Sequence, residues 1–316
     1  MKKVLLASTA LLLTAGFASA QSIELSGDAN AGLKYDEDGD LVPGGDELTV
    51  HNEINMTIAG SGSTDTGLTF GAFLTIDETD GLDDAEVFVS GVFGTVTVGR
   101  IDHATDSLGI ADIGFDGIGL DDSAEQYKNA TAGGPDILYS YSAAGLTFSA
   151  SAEIEGDESY AVAVEYAAQG FSGGIGYITD NNEDDFEGLG IGSNETITVV
   201  AGYSQGPLSI NGMYSDWNGG TAPSGQGYGV DVSYDVAGAT ITAVYSNAQD
   251  LSAGAGLGDS YGIGFAVPLG GGLTVAGGIG TVQRGNNFDD PGFVLGDLTA
   301  SNGDRVVADL GLTMSF

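Results

Sequence analysis

Cysteine is absent from all 316 residues, and proline occurs only six times. Exported domains with too small a core usually lean on disulfides, so this chain must be held by hydrogen bonds and packing instead. Basic residues are scarce too: seven Lys and Arg stand against 45 Asp and Glu, a net charge of -38. That imbalance excludes nucleic acid and anionic surfaces as partners. Beyond residue 20 there is no uninterrupted apolar run of about eighteen residues, so no helix can span a membrane. Helical periodicity is weak everywhere outside residues 101–128, and 54 glycines disfavour helices generally. Disorder is excluded because 42% of the residues are hydrophobic and they alternate regularly.

What is present begins with Lys2, Lys3, an apolar run over 4–13 and the small-x-small site Ala18-Ser19-Ala20. The pattern predicts a secretory signal over 1–20, cleaved near Ala20, and an export route out of the cytoplasm. The remainder, 21–316, reads as one all-β domain. Its last segment, D-R-V-V-A-D-L-G-L-T-M-S-F at 304–316, puts Val306, Ala308, Leu310, Leu312, Met314 and Phe316 on one parity and polar residues on the other. Only Val307 breaks the alternation. About ten such residues, tilted, cross a bilayer.

The same two-residue period recurs from 22–35 onward, through 48–58, 68–76, 85–92, 228–235 and 261–267 among others, for sixteen candidate strands. Tyr160, Val162, Val164 and Tyr166 share one face, as do Tyr228, Val230, Val232 and Tyr234. The connections alternate as well. Short glycine-rich turns such as 143–145, 169–170 and 236–238 are expected on one rim. Long acidic stretches at 36–40, 77–86 and 180–187 are expected on the other. That sidedness is expected of a transmembrane antiparallel up-and-down β-barrel, and a soluble sandwich has no reason for it.

The order of F-G-T-V-T-V-G-R at 93–100, S-G-D-A at 26–29, S-G-S-T-D-T-G-L-T-F-G-A at 61–72, V-F-V-S-G-V-F-G at 87–94 and I-L-Y-S-Y-S-A at 137–143 resembles general porins of Gram-negative bacteria, in the alphaproteobacterial (Rhodobacter-like) pattern. The likeness covers essentially the whole chain after the signal. It implies a homotrimer of water-filled barrels in the outer membrane, in contact with lipid and lipopolysaccharide. It implies a third long loop, here 101–136, folded inward as a constriction. It also implies that Phe316 is an assembly signal read by the barrel-assembly machinery.

Residues 101–136 form the one long stretch without alternation, and a loop of that length usually has a task. Asp102, Asp106, Asp112, Asp116, Asp121, Asp122 and Glu125 there face only Arg100, His103 and Lys128. Together with Arg100 and Lys128 these carboxylates are the expected pore constriction, concentrating cations and repelling anions. Glu24, Asp28, Lys34, His51, Glu53, Arg305 and Asp309 are expected on the lumen wall. The wall arginines usual in the resembled family are largely missing, so a strong transverse field is not expected. The competing reading of the acidity is an adaptation to salt, with the carboxylates serving only as a solvated face.

Other constellations point elsewhere and fail. Asp36, Asp38, Asp40 and Glu47 match positions one, three, five and twelve of a calcium loop, but Leu41 replaces the glycine needed at six. Calcium held by these acidic residues stays an expectation; no other cofactor is expected. G-F-S-G-G at 170–174 matches a nucleophile elbow, yet both histidines, His51 and His103, lie upstream of it, and no catalytic set is expected. A His51 and His103 metal pair lacks any third ligand in the sequence pattern. A calcium-dependent surface β protein of adhesin type is the alternative to a channel, and the nonapeptide repeat it needs is absent.

Overall fold

The computed structural model describes residues 22–39, 45–77, 81–128, 134–154, 158–179, 195–218, 224–250, 255–283 and 304–316. The expected signal 1–20, Asp40 and the acidic run 180–187 lie outside the described residues.

Alternation becomes sixteen strands: β1 (Ser22–Asp36), β2 (Leu48–Ser63), β3 (Thr69–Asp77), β4 (Gly81–Gly91), β5 (Gly94–Arg100), β6 (Ile137–Ala143), β7 (Leu146–Ala152), β8 (Tyr160–Ala168), β9 (Phe171–Thr179), β10 (Glu195–Gln205), β11 (Leu208–Asn218), β12 (Ser224–Val236), β13 (Ala239–Asp250), β14 (Ala255–Gly270), β15 (Leu273–Gln283) and β16 (Asp304–Ser315). Every strand pairs antiparallel with its chain neighbours, and β16 closes on β1 from Asp28↔Ser315 to Asp36↔Val307. Past the last ladder pair, Phe316 donates its N–H to the Gly27 carbonyl at 2.9 Å and accepts from the Gly27 N–H at 2.8 Å. Closure leaves no long edge to aggregate.

The two parities face different surroundings. Val162, Val164, Ile263, Ile279 and Leu310 are each 42–55% exposed on the outer wall, while Ala161, Ala163, Ser260, Ala276 and Asp309 on the alternate parity are buried. An apolar exterior around a closed barrel is what lipid selects. Among the described residues, no helix is long and apolar enough to cross a membrane.

The rims are segregated, with one correction. Hairpins after β6, β8 and β12 are two-residue turns with positive φ at both centres: Ala144 (54°) and Gly145 (82°), Gln169 (55°) and Gly170 (85°), Ala237 (53°) and Gly238 (84°). This is the type I′ geometry whose twist matches the flanking strands. On the opposite rim the acidic segment 77–86 is not a long loop, because β3 runs to Asp77 and β4 starts at Gly81. Asp77 is the last residue of β3, and residues 83, 84 and 86 lie within β4. The register shift between Thr75 and Ile76 shows the extra residue being absorbed as a bulge.

Candidate functional site inside the barrel

Between β5 and β6 the chain turns into the barrel, and the wall residues that its hydrogen bonds reach lie on the parity opposite the lipid face. Among its described residues, Asp122–Glu125 form a helical turn, α1. The path can be followed by its partners. Ala104 donates its N–H to Ser151 Oγ on β7 (2.9 Å), Ser107 Oγ donates to Glu165 on β8 (2.9 Å), and the Ala111 N–H reaches Asp231 on β12 (3.2 Å). At the tip, Asp309 of β16 accepts from the N–H groups of Phe115 (2.8 Å) and Asp116 (3.1 Å) through Oδ2, and from Gly278 (2.8 Å) through Oδ1. The chain then returns: Ser246 Oγ donates to the Leu120 carbonyl, Ser123 and Ser260 share a hydroxyl contact at 3.0 Å, and Ser215 Oγ donates to the Ala124 carbonyl at 3.1 Å. The loop is therefore a flattened hairpin lying on the wall, with residues 115–116 as its far end.

Apolar side chains hold it down. Leu108 and Leu120 have no exposed surface, Phe115 is 1% exposed, and Ile113 and Leu120 join Val244, Val282 and Val307 in one cluster. Burying each such side chain is worth about 2 kcal/mol. Val307, the one break in the alternation of β16, is thus an inward apolar contact beneath the loop. The seats are glycines. A Cβ at Gly176 would come within 2.6 Å of Leu108, one at Gly262 within 2.6 Å of Leu120, and one at Gly311 within 2.6 Å of the Phe115 ring.

The expected wall residues fall as follows. Lys34 Nζ lies 2.5 Å from Asp116 Oδ2, and His51 Nε2 stands 3.0 Å from the same oxygen and 3.7 Å from Glu53. Arg305 pairs with Asp36 at 2.6 Å on the long-loop rim. Asp28 accepts from Asn55 Nδ2 at 3.3 Å. Glu24 is exposed near the short-turn rim, on the lumen parity of β1. Asp309 faces inward, but it is only 7% exposed and serves as a loop anchor rather than lining water.

Within the loop, Lys128 is buried, pairs with Glu125 and donates to the Asp106 carbonyl at 3.1 Å. Asp102 and Asp112 are exposed to the lumen. Asp112 is open to lumen water yet walled in by the barrel, and that enclosure, followed by the charge of Asp122, pushes its carboxyl up to about 7. Asp121 is also raised, by burial first and then by Asp112, Asp122 and Glu125. The carboxylate of Asp36 is engaged by Arg305 and by the Asp38 N–H (3.0 Å), while the Glu47 carbonyl accepts from the Asp36 N–H (2.8 Å).

Two expectations need correction. Arg100 is not at the constriction: it pairs with Ala85, shares the outward parity of Val98, and donates to the Leu82 carbonyl at 2.7 Å. Counting charges along the sequence could not see that β5 carries its outward parity through to Arg100. His51 does have convergent ligand-type neighbours, Glu53 and Asp116, which chain separation hides. Sequence reasoning also missed Phe115, Asp231 and the wall serines, whose signal was the run of small residues on inward parities.

A family model for Gram-negative porins matches residues 7–287. The chain belongs to the Gram-negative porin family. This porin is 28% identical to a porin of Rhodobacter capsulatus, covering 93% of this chain and 100% of that protein. It is 25% identical to one of Fuscovulum blasticum, covering 83% and 94%. Among solved structures, a porin refined at 1.8 Å superposes with a TM-score of 0.68 at 22% identity, over 93% of this chain and 100% of the other. A triple mutant of Rhodopseudomonas blastica porin gives 0.70 at 21%, with the same coverage. Family and fold together make the chain an outer-membrane porin, a channel built on a transmembrane β-barrel.

Proposed function

We propose that this porin passes small hydrophilic solutes and ions with a weak preference for cations. One observation carries the reading: Lys34, Lys128 and Arg305, the described cations of the lumen and the loop within it, are each matched to a carboxylate. Asp102, Asp106, Asp112, Asp121 and Asp122 of the same loop put carboxylates in excess of cations there, and that excess sets the local field. Reversal potentials in a potassium chloride gradient test it. A cation-preferring pore is expected, and an unselective or anion-preferring one overturns the proposal.

The same measurement has a pH arm. Because the Asp112 carboxyl is raised to about 7, the folded chain keeps a proton there that the unfolded chain has already released. Folded-state stability from this group is therefore greatest at acid pH and is lost as pH rises toward 7. The charge moves the opposite way. Cation preference should fall as pH drops from about 8 to about 6, and Asp112→Asn should flatten that slope. A wild-type selectivity that ignores this window removes Asp112 from the field.

A homotrimer in contact with lipopolysaccharide, insertion by the barrel-assembly machinery and a cleaved signal over 1–20 belong to the same proposal, supported by the family. Phe316 is 66% exposed on the outer parity, where a receptor can reach it. Phe316→Ala should lower the amount of heat-modifiable, assembled protein while leaving single-channel conductance unchanged; normal assembly removes its role as a signal. Calcium at Asp36, Asp38, Asp40 and Glu47 rests on spacing alone, and calorimetry showing no heat with calcium would discard it.

A further inference from the structure

His51 is the residue that the pore reading leaves unused. Its Nε2 is closed off from solvent and makes no hydrogen bond, although Asp116 Oδ2 lies 3.0 Å away and Glu53 Oε2 3.7 Å away. A buried ring nitrogen and two carboxylate oxygens gathered without a hydrogen bond to that nitrogen are a donor set that one metal ion can share. The three donor atoms all lie within 4.8 Å of one another. Atoms bonded to zinc at about 2.0–2.1 Å in a tetrahedral site stand roughly 3.3 Å apart, so small side-chain rotations bring this set onto one ion.

The surroundings are built to hold those donors. Asn55 Nδ2 donates to the other Glu53 oxygen at 2.7 Å, Asn30 Nδ2 approaches Asp116 Oδ1 at 3.5 Å, and the Phe115 ring meets the His51 ring edge-on at 5.8 Å. Asp116 is 6% exposed. Outer contacts of this sort orient ligands and are worth 10- to 100-fold in metal affinity, by order of magnitude. The three ligands come from β2 and from the tip of the inward loop, so an ion here ties the loop to the wall.

We infer that His51, Glu53 and Asp116 form a binding site for a divalent transition metal of the zinc class inside the pore, with Lys34 as the internal cation that the metal displaces. One imidazole and two carboxylates suit zinc, copper or nickel, whereas calcium gains nothing from the nitrogen. The Lys34 ammonium occupies the same Asp116 oxygen, and its side chain, 34% exposed, has the lumen to swing into. A water molecule would complete the coordination of such an ion. Binding adds the charge of the ion and frees that of Lys34 at one level of the channel, so cation flow falls.

The effect on current rests on the channel reading, while the binding does not, and the test separates them. Zinc chloride is titrated calorimetrically into the folded protein in detergent, with calcium in excess to fill sites that need only carboxylates. One site per chain is expected. His51→Ala should weaken it by about tenfold or more, and Lys34→Met should tighten it by removing the competitor. Heat-modifiable mobility verifies that each variant is a folded barrel, with His51→Gln replacing the alanine variant if that fails to assemble. Unchanged zinc affinity in the His51 variant, or no tightening in Lys34→Met, overturns the site. In planar bilayers, zinc should lower wild-type conductance and leave the His51 variant unaffected. Binding without any change in current would keep the metal site and discard its effect on flow.

Discussion

Replacing Asp309 with alanine is expected to release the tip of the inward loop and to cost about 3 kcal/mol or more of the hold on it. The carboxylate accepts three backbone N–H bonds, from Phe115, Asp116 and Gly278, and is nearly sealed from water. Hydrogen bonds to a charged acceptor are each worth more than neutral ones, and removing it strands three donors in an enclosed place. No side chain on the neighbouring strands substitutes, since the opposed positions are Lys34 on β1 and Gly278 on β15. The measurable outcome is a noisier single-channel current and a lower thermal midpoint with the barrel still formed. Asp309→Asn keeps one carbonyl oxygen and should fall between the two. Wild-type noise and midpoint in Asp309→Ala would show that the apolar seats alone hold the loop.

Gly311→Val should unseat the same tip by a different force. A Cβ there meets the Phe115 ring at its root, Cγ at 2.6 Å, and the Ala31 carbonyl oxygen at 2.6 Å. The ring root cannot move without moving the backbone. Overpacking of this kind costs about 1–3 kcal/mol, and exposing Phe115 forfeits about 2–3 kcal/mol more. Asp116 follows its neighbour, so the contact with Lys34 should break and the selectivity should change. Limited proteolysis from the long-loop side should then cut near residue 115. Adding Phe115→Ala to Gly311→Val should restore part of the stability, because the clash is with the ring. If the double variant is as damaged as the single one, the fault lies in β16 rather than in the loop seat.

How much of this was legible follows from where the information sits. Strand parity is local: Tyr160, Val162, Val164 and Tyr166 declare their outer face within seven residues, and the outer wall carries all four. Boundaries were less legible where glycine replaces the side chains that reveal a period. Expected over 228–235, β12 begins at Ser224, and expected over 261–267, β14 runs from Ala255 to Gly270. Gly225, Gly227 and Gly229 fall on the inward parity of β12, where Tyr127, Ala124 and Ile110 of the loop lie against them. The repeated G-x-G spacing at 174–176, 225–229, 262–264 and 278–280 is the trace such a loop leaves in its wall. It was visible as composition and not as meaning.

The sequence alone determined the β class, the strand number, the apolar exterior and the acid-rich insertion, because each is a property of residues near one another in the chain. Tertiary structure decided which carboxylates act as charges and which as anchors. It sent Arg100 outward, turned Asp309 into a clamp on residues 193 and 194 positions away, and gathered His51, Glu53 and Asp116 around one point. The physical reason is distance. Parity needs only the two-residue pleat of a strand, whereas a carboxylate's role depends on which donor the closed barrel brings within about 3 Å of it.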